Sequence, residues 1–139
     1  MDEHRFFHEV SERLACDRLR AEAVTLAVFH ELRDHLTPKE SGDVAAQLPN
    51  LLRHLWTETL PGDRAPKRIG VDEFVGRVRN LAGLPDDREA ERAVRAVFSE
   101  LQRLLGSATG LEGEAWDVFS VLPKNLKKLW LTAHEVVAE

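Results

Sequence analysis

The chain has 139 residues, of which 43% are apolar and 31% charged, with a formal net charge of −5. That balance excludes a disordered chain, and its length suits one compact domain or two small lobes sharing a core. Residues 1–69 hold 10 Lys and Arg against 12 Asp and Glu, and residues 70–139 hold 9 against 12; neither half is a basic lobe that could neutralise phosphates, so nucleic-acid binding is not expected.

Cys16 is the single cysteine, which leaves no intramolecular disulfide and no cysteine-based zinc site. A reducing cytoplasm is the simplest expectation. The opening residues Met1-Asp2-Glu3-His4-Arg5 carry no apolar core, so no secretory signal is expected there. The apolar run Ala23–Phe29, interrupted by Thr25, is far too short to cross a membrane.

Apolar residues recur at helical spacing. Phe6, Val10 and Leu14 predict a helix over 2–15, and Val24, Val28, Leu32 and Leu36 a long one over 18–36 that Asp17 can cap. Thr37-Pro38-Lys39-Glu40 reads as a capping box with Pro at the first helical position, opening a helix over 38–47. Pro49 starts the next, over 49–59. A Pro- and Gly-bearing linker covers 61–70. Phe74, Val78 and Ala82 then mark 71–82, and Ala93, Val97, Leu101 and Leu105 mark 86–105. The loop Gly106–Gly110 leads to helices over 112–121 and 123–138, with Pro123 at the start of the last. No run alternates with period two long enough for a strand.

The chain also repeats itself. Val28-Phe29-His30-Glu31-Leu32-Arg33-Asp34-His35-Leu36 returns as Val97-Phe98-Ser99-Glu100-Leu101-Gln102-Arg103-Leu104-Leu105, with five of nine positions identical. Leu48-Pro49-Asn50-Leu51-Leu52-Arg53-His54-Leu55-Trp56 returns as Leu122-Pro123-Lys124-Asn125-Leu126-Lys127-Lys128-Leu129-Trp130, again with five of nine. A duplicated segment points to two copies of one packing unit. The expected fold is all-α: two tandem four-helix repeats, 1–60 and 71–139, packed as one pseudo-twofold bundle. Phe29, Phe98, Trp56 and Trp130 are expected in its core. One unit of this size buries too little apolar surface to be secure alone, and packing two together remedies that.

The order of these motifs resembles a known family. Gly70-Val71-Asp72-Glu73-Phe74-Val75-Gly76-Arg77-Val78 opens a unit, Val97-Phe98-Ser99-Glu100-Leu101 ends its long helix, and Leu122-Pro123 with Leu126 and Trp130 closes it. Glu9-Val10, Val28–Leu32 and Gln47-Leu48-Pro49 stand at matching places earlier. The pattern is similar to that of the bacterial family called domain of unknown function 2267, whose members are built from duplicated helical units. The resemblance implies no established activity, cofactor or catalytic residue. That some members are joined to sensing or regulatory domains implies a regulatory or interaction role.

Candidate chemistry is sparse. His30 and Asp34 lie one helical turn apart, where a zinc protease would have two histidines, but Ser99 and Arg103 occupy the matching places and no third ligand is evident. A surface helix is the plainer reading. His4 and His8 form a second such pair near the N-terminus. The repeated carboxylates Glu22/Glu91, Glu31/Glu100, Glu40/Glu114 and Asp43/Asp117 lack the Glu-x-x-His pairs of a di-metal bundle, and solvated or capping roles are expected. No nucleophile elbow or phosphate loop occurs.

One arrangement runs against the helix dipole. Lys124, Lys127 and Lys128 sit in the first turns of the last helix, whose N-terminal end already carries partial positive charge, with Arg53 and His54 at the matching places. These cations, with Arg53, form the candidate interaction surface. The expected function is a non-catalytic cytoplasmic interaction or regulatory module. It would bind a protein partner, or a second copy of itself, through helix surfaces or the groove between repeats. A small-ligand sensor with a cavity between the repeats, lined by Trp56, Trp116 or Trp130, is the first alternative; a metal-carboxylate enzyme is the second. No cofactor is expected.

Overall fold

A computed structural model describes residues 2–58, 69–106 and 112–134. Most of the expected linker, and the loop at 107–111, lie outside these residues. The described chain is eight helices with no strand among them: α1 (Asp2–Leu14), α2 (Arg18–Arg33), α3 (Pro38–Gln47), α4 (Asn50–Thr57), α5 (Val71–Ala82), α6 (Asp87–Leu104), α7 (Glu114–Val121) and α8 (Lys124–Leu131). No helix among the described residues is long and apolar enough to cross a membrane.

Local chemistry sets most boundaries. The Asp17 carboxylate accepts from the Arg20 N–H at 2.8 Å and caps α2. At α3 the capping box is complete, with the Glu40 N–H donating to Thr37 Oγ1 at 3.1 Å and the Thr37 N–H to Glu40 Oε1 at 2.9 Å. Asp86 caps α6 through the Glu89 N–H. Pro49 and Pro123 stand just before α4 and α8, both at φ −62° and ψ 161°, so each fixes the same turn out of the preceding helix.

Two ends differ from expectation. α2 stops at Arg33 rather than 36, because the N–H groups of His35 and Leu36 donate to carbonyls three residues back and tighten the chain. Leu36 nonetheless stays buried, which is why its spacing reads as continuous helix. α8 stops at Leu131, short of 138; residues 135–139 lie outside the described part.

Packing joins the two halves into one hydrophobic cluster. α1 lies against α2 and α6, while α5 lies against α6 and α2, so each half's first helix packs on the long helix of both halves. α3 packs on α4, α7 on α8, and α3 also meets α7. Phe29 and Trp56 meet edge to face at 5.1 Å, and Phe98 and Trp130 do so at 4.9 Å. Phe6 packs on Phe29 at 6.2 Å and Phe74 on Phe98 at 5.9 Å. All six rings are essentially fully buried, and each contributes about 1.5–3 kcal/mol or more through area removed from water.

Polar contacts follow the same pattern. Arg33 donates to the Trp56 carbonyl at 3.0 Å, and Gln102, its counterpart in the repeated sequence, donates to the Trp130 carbonyl at 2.9 Å. Arg20 of α2 reaches the Ala82 carbonyl at the end of α5 at 2.7 Å, and Arg92 of α6 reaches the Arg13 carbonyl near the end of α1 at 2.9 Å. Each long helix thus supplies a donor to the last-turn carbonyls of the other half's first helix.

Candidate functional site

The α7–α8 hairpin presents the most unusual surface among the described residues. Ala115, Val118 and Leu122 of the hairpin turn inward and are buried. The helical period then places Trp116 outward, where it is 50% exposed. The half-buried Phe119 lies one turn on, with its ring 5.6 Å from that of Trp116. The Lys127 ammonium stands 5.3 Å from the centre of the Phe119 ring, a cation–π contact that holds an aliphatic stem along the aromatic face. Lys124 and Lys128 are exposed beside it on α8, and Leu131 is partly exposed at its end.

Of the four cations singled out from the sequence, three therefore share this face. Arg53 is engaged elsewhere, at the junction of α3 and α4. Its guanidinium donates to the carbonyls of Ala45 at 3.1 Å and Leu48 at 2.9 Å, closing the end of α3. That is a capping role, which satisfies carbonyls that α3 leaves open.

The first half carries a concave feature in the matching region. A cleft of about 250 Å³ lies between the end of α2, α3 and the end of α4. Its polar floor is Arg33, Ser41 and Trp56: the indole N–H donates to the Ser41 carbonyl and hydroxyl at 3.1 and 3.0 Å, and Arg33 Nε donates to the same hydroxyl at 3.1 Å. Leu36, Pro38, Gly42 and Ala45 wall it, and Asp34 and Thr57 lie on its lining. Counting back from Leu48-Pro49 and Leu122-Pro123, Gly42 corresponds to Trp116 and Ala45 to Phe119. The first half is hollow at the positions where the second half is aromatic.

The His30 segment is not a surface stretch. Glu31 is 2% exposed. Ligand-capable atoms of His30, Glu31 and Asp34 lie within 4.8 Å of one another, a spacing that could hold a cation. Arg77 of α5, however, places Nε 3.9 Å from Glu31 Oε1, so a permanent positive charge already faces that carboxylate. The Arg77 guanidinium is itself held above its ordinary pKa by its hydrogen bond to Glu73 and then by the Glu31 and Asp34 charges. The arrangement includes an interhelical ion pair between Glu31 of α2 and Arg77 of α5. Glu100 is likewise buried and takes two bonds from Arg103, at 3.0 and 2.7 Å. Burial of Glu31 and Glu100 corrects the expectation that they are solvated.

The other sequence candidates keep ordinary roles. His4 Nδ1 lies 3.4 Å from the Arg18 guanidinium, which also covers the Phe7 ring at 4.5 Å; that cation disfavours metal at His4 and His8. Glu22 and Glu91 pair with Arg18 and Arg95 along their own helices, and Asp43 with Lys39. The Glu114 side chain lies outside the described part. Exposure of Trp116 is what sequence reasoning missed, and the contrast of Gly42 with Trp116 between the matched segments was the available signal.

Residues 3–129 match the family described as uncharacterized conserved protein, DUF2267. The chain belongs to this family. The match spans all eight helices except the first residue of α1 and the end of α8, so the cleft and the aromatic face both lie within the family region. No curated protein matches the chain.

Proposed function

We propose that this DUF2267 chain is a non-catalytic cytoplasmic interaction or regulatory module that binds a protein partner through the α7–α8 face. The observation that carries this reading is the half-exposed Trp116 beside Phe119, with the Lys127 ammonium over the second ring. An indole left in water gains about 25 cal/mol for each Å² of apolar area that a partner covers. Tryptophan is also among the side chains that dominate binding energy at interfaces. Lys124 and Lys128 at the rim favour an acidic partner and speed its approach.

The scaffold for this face is two tandem four-helix units, residues 1–60 and 71–139, related by a pseudo-twofold axis. The matched Phe29–Trp56 and Phe98–Trp130 pairs support it, as does the crossed packing of α1 on α6 and α5 on α2. A lone Cys16, half-buried, is consistent with a reducing compartment.

A second reading has its own observation. The cleft between α2, α3 and α4, at about 250 Å³, is near the lower end of ligand-site volumes, about 300–1,000 Å³, and joins apolar walls to a polar floor. A small-ligand sensor would use that cleft, within the first unit rather than between the two.

The test compares proteins co-purified from native cells with wild type, Trp116→Ser and Leu19→Ser. Leu19 is 77% exposed at the start of α2 and serves as a control for loss of surface apolarity. A stoichiometric partner retained by wild type and Leu19→Ser, and lost by Trp116→Ser, supports the reading. Retention by the wild type and both variants overturns it.

A further inference from the structure

We propose that a second copy of this chain is a partner of the α7–α8 face, with Trp116 of one copy seated in the α2–α3–α4 cleft of another. The inference rests on the reading of that face as an interaction surface, and names its occupant.

Shape is the first argument. Trp116 and Phe119 make a ridge, and the cleft is bounded by Gly42 and Ala45 at the corresponding positions of the first unit. A Cβ added at Gly42 would meet nothing within 4 Å, so the wall there is set back from every neighbour. Gly42, Pro38 and Thr57 are exposed, so the cleft is reachable from solvent at these residues. Trp116 does not fill the cleft of its own chain: it is half in solvent, with Phe119 as its ring neighbour.

Charge is the second. The Lys127 ammonium lies over the Phe119 ring of the ridge, with Lys124 and Lys128 exposed on the same helix, whereas Asp34 lines the cleft beside Arg33; Glu40 and Asp43 of α3 are engaged by the capping box and by Lys39. Arg33, the cation of the floor, turns Nε and Nη1 onto Ser41 and the Trp56 carbonyl, so those donors point into the protein. The lysines of the ridge attract the Asp34 carboxylate of the cleft between copies.

Topology follows. Ridge and cleft are different patches of one surface, so each contact is heterologous. Two chains can exchange two such contacts and close as a dimer, or single contacts can propagate as a chain of molecules. Either way, a molecule with an intact ridge but a blocked cleft pairs only with one whose cleft is open.

The experiment is sedimentation velocity over a micromolar-to-millimolar series, on wild type, Trp116→Ala, Gly42→Trp and an equimolar mixture of the two variants. Wild type is expected to gain mass with concentration. Each variant alone should weaken association by about thirtyfold or more, the scale of a hot-spot aromatic. The mixture should recover association that stops at a one-to-one pair. Ala45→Phe, which installs the residue of the second unit, blocks the cleft independently if Gly42→Trp melts early. A monomeric wild type across the series overturns the proposal. So does Trp116→Ala associating like wild type, or a mixture that stays monomeric. A monomeric wild type alongside Trp116-dependent co-purification of another protein would sink this inference alone; loss of both would sink the reading beneath it as well.

Discussion

Ala15 at the end of α1 adopts the same left-handed backbone as Gly83 at the end of α5, with φ 52° and 67°. Both positions close a helix in the same way: the N–H of Cys16 donates to the Ser11 carbonyl, and that of Leu84 to the Arg79 carbonyl, each five residues back. Glycine adopts this conformation without steric cost, whereas an L-residue with a Cβ is strained there by about 1–2 kcal/mol. Ala15→Gly should therefore stabilise the protein by about 1 kcal/mol despite the extra entropy of glycine, and Gly83→Ala should destabilise it by about as much. Urea denaturation, read as midpoint shifts at constant slope, checks both signs.

The two aromatic pairs make a prediction about equivalence. Phe29→Ala and Phe98→Ala each remove a fully buried ring from contact with a buried indole. Each should cost about 3–5 kcal/mol. With total stabilities of about 5–15 kcal/mol typical, either variant would be close to unfolding at 37 °C. Thermal melts should show both collapsing in one transition, because the two halves contribute to a single hydrophobic cluster. Two separate transitions, with one half surviving, would contradict the shared core.

Arg20 and Arg92 test how the halves are tied together. Each donates across the halves to a carbonyl in the last turn of α5 or α1. Removing either side chain should cost about 1 kcal/mol, the net worth of one such bond. If Arg20→Ala and Arg92→Ala act at independent sites, the double variant should equal their sum within about 0.5 kcal/mol. Equilibrium unfolding of the four proteins gives the answer.

Cys16 supplies a pH dependence. Burial raises its thiol pKa above the ordinary value of 9.0, and the neighbouring Asp17 charge adds to the rise against the opposing pull of Arg20. The folded state thus holds the proton more tightly than the unfolded chain. That contribution to stability is fully present below the unfolded pKa and is lost as pH climbs through the folded one. Iodoacetamide labelling should show a midpoint at higher pH for the native protein than for the urea-unfolded protein, and Cys16→Ser should abolish this part of the alkaline loss of stability.

How much of this was legible depends on how far apart the interacting residues lie. The Thr37–Glu40 box and the Asp17 cap involve neighbours three residues apart, and the structure has both as read. The helical stripes likewise identified Phe29, Phe98, Trp56 and Trp130 as core. Burial of Glu31 was not legible, because Arg77 comes from another helix and no local pattern announces that meeting. The basic face was half legible: the lysines stood out against the dipole of α8, but Arg53 looked like their counterpart and instead closes α3. Trp116 is absent from the expected core and stands only as a candidate cavity-lining residue, because residue type alone does not report exposure. Only its place opposite Gly42 in the matched segments sets it apart.

The most direct measurement is site-specific photo-crosslinking in native cells, with a photoreactive phenylalanine at position 116 in one strain and at position 19 in another. Both positions are strongly exposed, but only the first lies on the proposed contact face. The account predicts a discrete adduct from position 116, of twice the chain mass if the partner is a second copy, and none from position 19. No adduct at 116, or the same smear from both positions, would contradict it.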